Sequence, residues 1–158
     1  MPYIIDGNNL IGSSPDISLE DKDARKKIIY ILKKYQEVKK NNIIVAFDGE
    51  PDIILNRENL KNKFTVIYPK YGNSADDEIK KIIDNYTNYK DVILVSSDME
   101  LKTYARKKGA RTINSIEFYF ELKRVYHING QKEKLKERIN IEISEKEVDL
   151  WMKIFDKK

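Results

Sequence analysis

The sequence contains no cysteine and only one histidine, His127. The absence of cysteine excludes disulfide bonds, cysteine-ligated zinc, iron–sulfur clusters and thiol catalysis. A single histidine excludes a multi-histidine metal site and disfavours histidine acid–base chemistry. Any catalytic chemistry is therefore expected to come from carboxylates.

Long apolar runs are also absent. The longest, 43–47 and 92–95, are far shorter than the roughly 18 residues that a membrane-spanning helix needs. The first residues, MPYIID, lack the basic head, apolar stretch and cleavage site of a secretory signal. We therefore expect no membrane association and a cytoplasmic location.

The charge balance is only mildly basic. Among 158 residues, 30 Lys and Arg face 26 Asp and Glu, a net charge of +4. That excess permits a polyanionic partner bound to a local basic patch but does not by itself identify nucleic acid. A hydrophobic fraction of 41% is enough for the core of one compact, soluble domain.

Short β-type runs alternate with longer stretches of helical period, which predicts an α/β fold with a central, mostly parallel sheet of about five strands flanked by helices. Ser74 and Asp77 have the spacing of a capping box, and Gly109 is a candidate helix C-cap. The predicted strands are 2–6, 43–48, 64–68, 91–95 and 111–113, and the predicted helices are 20–40, 74–86, 98–108 and 115–127.

The carboxy-terminal part is expected to be a helical extension of the same domain. We divide the chain into a domain of residues 1–130 and an extension of residues 131–158, because Gly130 interrupts the helical pattern. The extension is predicted as two helical pieces, the second beginning at Ser144. Its apolar face is expected to pack on the domain, with docking of a partner as the alternative; the face consists of Val148, Trp151, Met152 and Phe155.

Carboxylates follow several of the predicted strands. Asp6, Asp48 and Asp98 each come at or just after the end of an apolar strand, and the acidic segment 76–78 opens a helix. Because the carboxyl ends of parallel strands meet at one edge of a sheet, these acids are expected to converge there. Taken singly, each is equally explained as a turn former or helix cap.

Converging carboxylates repel one another unless a cation neutralises them. An oxygen-only set of ligands suits Mg²⁺ or Mn²⁺, and such ions orient phosphate oxygens and lower the pKa of an attacking water. The pattern therefore predicts metal-dependent phosphodiester hydrolysis without a side-chain nucleophile. Motifs typical of NTPases, dehydrogenases and zinc peptidases are absent from the sequence.

Four motifs, IIDGNNLI (4–11), VAFDG (45–49), GNSADDEI (72–79) and VSSD (95–98), occur in this order. Together they resemble the YacP-like NYN family, a branch of the PIN-like nucleases, over residues 3–125. The resemblance implies a Rossmann-like PIN fold, a divalent metal and endoribonuclease activity on RNA, with some members acting on messenger RNA at the ribosome.

The resemblance also implies roles for individual residues. It assigns the acidic centre to Asp6, Asp76 and Asp98, and a polar helper role to Asn9. The other motif residues are Asp77 as a fourth or outer acid, Asp48 as a lower-ranked metal ligand, and Ser74 and Ser97 as hydroxyls that orient a carboxylate or water.

Contacts with the substrate are predicted from basic and aromatic residues near these motifs. They are Lys70, Tyr71, Lys102, Arg106 and Arg25, each of which has ordinary surface exposure as the alternative reading. The leading function is a metal-dependent endoribonuclease. The alternatives are a non-catalytic RNA- or ribosome-binding module with the same fold, and a PIN-type DNA or flap nuclease. No oligomeric state is predicted.

Overall fold

The structure is a computed structural model that describes residues 2–49, 63–70, 72–86 and 91–156, with backbone only for 140–156. Its strands are β1 (Tyr3–Asp6), β2 (Ile43–Ala46), β3 (Phe64–Ile67), β4 (Ile93–Val95) and β5 (Arg111–Ile113). Its helices are α1 (Gly7–Ser13), α2 (Ala24–Lys39), α3 (Ala75–Asn85), α4 (Met99–Lys107) and α5 (Ser115–Asp156).

The strands form one sheet in the order β3-β2-β1-β4-β5, and all four neighbouring pairs are parallel. The predicted α/β class and five-stranded parallel sheet are therefore confirmed. The chain moves outward from β1 to β3 and then crosses back to β4 on the other side of β1. Such a reversal opens a crevice at the carboxyl ends of the two strands on either side, here β1 and β4.

Both faces of the sheet are covered, which explains why the strands read as nearly continuous apolar runs. Ile5 and Val45 point to one face, where they pack with residues of α1, α2 and α5. Ile4 and Leu94 point to the other, where they pack with residues of α3 and α4. The helices on both faces thus fix the strand ends that carry the predicted acids.

Helix α2 begins at Ala24, later than the expected residue 20. The preceding segment is held in turns by two local side-chain contacts: Ser18 Oγ accepts a hydrogen bond from the backbone N–H of Glu20, and Asp21 Oδ1 accepts one from Asp23. Short polar side chains of this kind compete with helix formation. From the sequence alone, the helical period of residues 20–40 hid this competition, so the helix was predicted to start too early.

Of the two alternatives given for Asp6, the helix cap is confirmed and the turn former was wrong. Residues Gly7–Ser13 form α1, with Asp6 as its N-cap. A helix of seven residues is too short to show a clear period, and a Gly-Asn-Asn sequence has low helix propensity. The helix forms because Leu10 and Ile11 are fully buried in the core.

The expected helix break at Gly130 was also wrong, because α5 runs as one helix of 42 residues from Ser115 to Asp156. A single glycine costs about 1 kcal/mol in a helix, too little to stop it without proline nearby. Residues 131–139 are all exposed, so the expected packing on the domain is not seen over that stretch. The predicted apolar face at residues 148–155 lies outside the described side chains, and the division of the chain at residue 130 stays a prediction.

None of the helices within the described ranges is both long and apolar enough to cross a membrane.

Candidate active site

Four carboxylates lie around the carboxyl edge of the sheet, and we refer to Asp6, Asp48, Asp76 and Asp98 as the acidic cluster. The negative charges of Asp76 and Asp48 raise the pKa of Asp6. Burial, and after it the charges of Asp98 and Asp48, raise the pKa of Asp76. Hydrogen bonds connect the same segments, since Ser96 bonds to both Asp6 and Asp98, and Asp48 bonds to the residue before Asp76.

Asp6 is the buried member of the cluster, with only 6% of its surface exposed. It ends β1 and caps α1, and its Oδ1 accepts a hydrogen bond of 3.4 Å from the backbone N–H of Asn9. Its Oδ2 accepts one of 3.2 Å from the hydroxyl of Ser96. Burial outweighs these two hydrogen bonds, so the pKa of Asp6 is raised to about 6. A buried carboxylate with a raised pKa beside other acids is typical of a functional site.

Asp48 and Asp98 each contact the start of a helix. Asp48 Oδ1 accepts a hydrogen bond of 2.8 Å from the backbone N–H of Ala75, the first residue of α3. Asp98 is the N-cap of α4, and its Oδ1 accepts one of 3.1 Å from Leu101. Helix N-termini stabilise negative charge. The capping role that the sequence left as an alternative for Asp98 is therefore real, and it uses one of the two carboxylate oxygens.

Asp76 and Asp77 are adjacent in the chain but differ in their surroundings. Asp76 is half-buried in the first turn of α3 and is influenced by the other acids of the cluster. Asp77 completes the capping box, since its Oδ2 accepts from the Ser74 N–H at 3.0 Å while Ser74 Oγ accepts from the Asp77 N–H at 3.2 Å. These bonds lower the pKa of Asp77. Asp77 and Ser74 thus stabilise the helix start, and their predicted roles at the metal stay predictions.

Two asparagines connect the loops that carry the acids. Asn8 Oδ1 accepts a hydrogen bond of 2.9 Å from the backbone N–H of Asp48, which joins the ends of β1 and β2. Asn9 Oδ1 accepts from the N–H of Ser97 at 2.9 Å and from the hydroxyl of Ser115 at 2.6 Å. Asn9 therefore links β1, the loop after β4 and the start of α5, and its predicted role as a polar helper stays a prediction.

Two serines next to β4 complete this network. Ser97 Oγ accepts a hydrogen bond of 3.0 Å from the backbone N–H of Ser115. Ser96, which the sequence analysis did not select, donates to Asp6 and accepts from the N–H of Asp98 at 3.1 Å. Ser96 thus holds two acids of the cluster at a fixed spacing. Its place two residues before the strand-end Asp98 is the signal that could have identified it.

Gly7 allows α1 to begin directly against β2. A Cβ at this position would lie 2.5 Å from Phe47 Cδ1 and 2.9 Å from the Ala46 carbonyl oxygen. Both distances are shorter than van der Waals contact, and Phe47 is fully buried. Only glycine fits here, which is the physical reason for Gly7 directly after Asp6.

The predicted substrate residues differ in how far they are free to bind. Lys102 is only 8% exposed and its Nζ donates to Asn114 Oδ1 at 2.6 Å. Arg106 Nε donates to Thr112 Oγ1 at 3.0 Å. Both side chains therefore turn toward the end of β5. The direction of side chains on α4 could not be predicted from the sequence spacing.

Arg25 has contacts of its own beside the cluster. Its guanidinium donates to the carbonyl oxygen of Asp48 and lies 5.5 Å and 5.4 Å from the ring centroids of Phe47 and Tyr68. Lys70 is exposed, whereas Tyr71 lies outside the described residues. The substrate roles of all these residues stay predictions.

The donor set of the cluster suits a hard divalent cation, because it consists of carboxylate oxygens in excess over positive charge. Among the described residues, however, no three acidic or histidine side chains are arranged closely enough to hold a metal ion. Asp48 and Asp98 each direct one oxygen to a backbone N–H at a helix start, and Asp6 directs both of its oxygens to hydrogen-bond donors. Carboxylate oxygens of this kind would be the ligands of such a cation, so the residues fit it by their chemistry, although their arrangement does not show its geometry.

Comparison with known proteins defines the class. Crystal structures of Rae1 (YacP) from Bacillus subtilis superpose on this chain. One gives a TM-score of 0.69 at 23% identity, covering 97% of this chain and 93% of that chain. A mutant form gives 0.68 at 24% identity, covering 85% and 83%. At such identities the likeness shows the fold alone, which this chain shares with Rae1 (YacP).

The family follows from the sequence. The profile of the YacP-like NYN domain matches residues 3–156, and the chain belongs to that family. The resemblance inferred from the four motifs is thereby confirmed. The uncharacterized protein YacP of Bacillus subtilis (strain 168) is 28% identical over 89 residues, which are 54% of this chain and 52% of that protein. The matched segment thus spans about half the length of this curated relative.

Proposed function

We propose that the protein is a divalent-metal-dependent endoribonuclease that hydrolyses phosphodiester bonds of RNA. The observation that carries the proposal is the acidic cluster, in which four chain segments bring carboxylates to one edge of the sheet, where burial and then the charges of the neighbouring acids raise the pKa values of Asp6 and Asp76. Uncompensated acids at one edge are destabilising. Their presence in a chain of a nuclease-type family is best explained by a cation that neutralises them.

Asp6, Asp76 and Asp98 would hold Mg²⁺ or Mn²⁺, with Asp48 beside them. When bound, the cation supplies polarisation of the phosphodiester and activation of a water molecule. The chain's own residues keep the acids in position: Ser96 spaces Asp6 from Asp98. Helices α3 and α4 begin at the cluster, and their N-termini favour the negative charge of the acids and of a phosphate.

The adjacent acids of α3 provide a matched test. Purified wild-type protein, Asp76→Asn and Asp77→Asn are incubated with single-stranded RNA in Mg²⁺, Mn²⁺ or EDTA. We expect cleavage only with metal, and a loss of roughly a hundredfold or more in Asp76→Asn because it removes a ligand. Asp77→Asn alters the capping box and tests the predicted outer acid: cleavage within about threefold of wild type would place Asp77 outside the metal site, and a loss as large as that of Asp76→Asn would place it at the metal. Cleavage in EDTA, or equal activity of Asp76→Asn and wild type, contradicts the proposal.

A non-catalytic RNA-binding module is the second candidate. It is favoured by the finding that no three side chains among the described residues form a metal-holding group, and by the capping contacts of Asp48 and Asp98. In the same assay this function predicts RNA binding with no cleavage in any metal. Preferential cleavage of a DNA substrate would instead indicate a DNA or flap nuclease.

The proposal extends to the setting that the family resemblance implied, messenger RNA on the ribosome in the cytoplasm. Co-sedimentation of the purified protein with ribosomes through a sucrose cushion tests it. Pelleting of the protein only when ribosomes are present supports this setting, and its absence from the ribosome pellet contradicts it.

A further inference from the structure

Asp48 is held at three points by residues from other parts of the chain. Its backbone N–H donates to Asn8 Oδ1 at 2.9 Å, and its carbonyl oxygen accepts a hydrogen bond from the Arg25 guanidinium. Its side-chain Oδ1 accepts one of 2.8 Å from the backbone N–H of Ala75. The residue at the end of β2 is therefore tied to α1, α2 and α3.

Arg25 is itself held in place beside Asp48. Its guanidinium carbon lies 5.5 Å from the ring centroid of Phe47 and 5.4 Å from that of Tyr68, within the range of cation–π contacts. Gly49 leaves room for the guanidinium, because its φ is +92° and a Cβ there would lie 2.9 Å from Arg25 Nη2. The two rings and the glycine thus keep the guanidinium against the Asp48 carbonyl.

The bond from Asp48 to Ala75 fixes the start of α3. The first N–H groups of a helix have no partner within the helix, and the capping box satisfies the N–H of Asp77 through Ser74. The N–H of Ala75 is satisfied by Asp48, from a different part of the chain. Ala75 is only 1% exposed, so this bond lies where the helix meets the sheet. Because Asp76 is the next residue, its place among the acids depends on the bond.

Positive charge within the protein already faces Asp48. The Arg25 guanidinium lies at its carbonyl oxygen, and the N-terminus of α3 lies at its carboxylate. The alternative role for Asp48 is a direct bond from its second oxygen to the cation. That role does not explain why both its backbone N–H and its carbonyl are held by side chains from two other helices.

We propose that Asp48 is a positioning residue and not a metal ligand: held by Asn8 and Arg25, it fixes the start of α3 and thereby the place of Asp76 in the acidic cluster. This inference rests on the proposed function, in which Asp76 is a metal ligand.

Two substitutions separate positioning from metal binding. Asp48→Asn keeps an oxygen for the Ala75 N–H, whereas Asp48→Ala removes it. Both remove the negative charge, so a comparison of the two cancels the effect of charge. Mn²⁺ affinity is measured by electron paramagnetic resonance without RNA, and hydrogen exchange of the Ala75 amide is measured by NMR in EDTA. The amides of Ile43 and Ile93, which are bonded to Lys63 and Pro2, show in the same spectra whether each variant is folded.

Asp48→Ala should bind Mn²⁺ roughly ten- to a hundredfold more weakly than wild type, as for other residues that orient metal ligands, and Asp48→Asn should bind it at least about fivefold more tightly than Asp48→Ala. The Ala75 amide should exchange roughly ten- to a hundredfold faster in Asp48→Ala, and within about fivefold of wild type in Asp48→Asn. Equally weak Mn²⁺ binding by the two variants would make the carboxylate a ligand. Wild-type values for Asp48→Ala would leave it no positioning role, and either result overturns the inference.

Arg25→Met tests the same contact from its other side, because it removes the bond to the Asp48 carbonyl without removing an acid. We expect Mn²⁺ binding to weaken and exchange of the Ala75 amide to become faster, each by about threefold or more. Loss of a cation would by charge alone strengthen Mn²⁺ binding, so tighter binding, or unchanged exchange, overturns the inference. Arg25→Met takes the place of Asp48→Ala if that variant does not fold.

The two measurements also separate this inference from the proposed function. Failure of the wild-type protein to bind Mn²⁺ would refute the proposed function. Exchange of the Ala75 amide is measured without metal, and it decides by itself whether Asp48 holds the start of α3.

Discussion

Replacing Asp6 by asparagine is expected to stabilise the metal-free protein at neutral pH while abolishing the proposed activity. Burial and the neighbouring acids raise the pKa of Asp6 from 3.8 to about 6. Ionisation of this carboxyl is therefore less favourable in the folded chain than in the unfolded chain. The wild-type fold should lose stability as the pH rises from the unfolded to the folded pKa, and the loss is complete above about pH 6.

A shift of about two pKa units corresponds to about 3 kcal/mol. Asparagine keeps the size of the side chain and an oxygen for the Asn9 N–H, but carries no charge. Asp6→Asn should therefore gain up to about 3 kcal/mol in free energy of unfolding at pH 8, or about 6 to 12 °C in Tm for a domain of this size. At pH 4, where the wild-type carboxyl is largely protonated in the fold, the gain should nearly vanish.

The assay is urea denaturation of both proteins in EDTA between pH 4 and pH 8. Asp16→Asn serves as a control of opposite sign, because Tyr119 and Lys123 lower the pKa of Asp16 and its loss should destabilise at pH 8. Equal or lower stability of Asp6→Asn at pH 8, or a gain at pH 4 as large as that at pH 8, would refute the reasoning. Added Mg²⁺ should then stabilise wild type more than Asp6→Asn, since a cation bound only by the fold adds its binding free energy.

Three further changes test the architecture by urea denaturation. Gly7→Ala should destabilise the protein by at least about 2 kcal/mol because its Cβ would overlap Phe47. As a control, Gly12→Ala, whose Cβ meets only an exposed leucine side chain, should be neutral or stabilising by up to about 1 kcal/mol. Equal effects of the two substitutions would contradict the steric account. Asn9→Ala leaves two hydrogen-bond donors unpaired and should lower the free energy of unfolding by about 1 to 3 kcal/mol. It should also reduce RNA cleavage, and full activity of this variant would exclude a positioning role. Ser74→Ala removes the capping box and should cost about 1 kcal/mol, an outcome contradicted by an unchanged urea midpoint.

The parts of the fold that rest on burial were predictable from the sequence. All five strands were predicted to within two residues at each end, because strands buried on both faces must be apolar throughout. The helix starts at Ser74 and Asp98 were predicted from capping chemistry, which is local in sequence. The meeting of the strand-end acids followed from parallel pairing alone.

What could not be predicted depends on contacts between distant residues. Helix α1 is stabilised by core burial and by the close approach that Gly7 permits, neither of which a short polar sequence reveals. The turn of Lys102 and Arg106 toward Asn114 and Thr112 depends on rotamers. The role of Asn9 required knowing that Ser115 starts a helix beside it.

The central place of β1 also sets an order of events during synthesis. β1 pairs with β2 on one side and with the much later β4 on the other. A growing chain that ends at residue 86 already contains Asp6, Asp48 and Asp76, yet one side of β1 has no partner and Ser115 does not exist. If the protein cuts RNA, a nascent chain should be harmless to its own message until the final strand and the start of α5 have left the ribosomal exit tunnel.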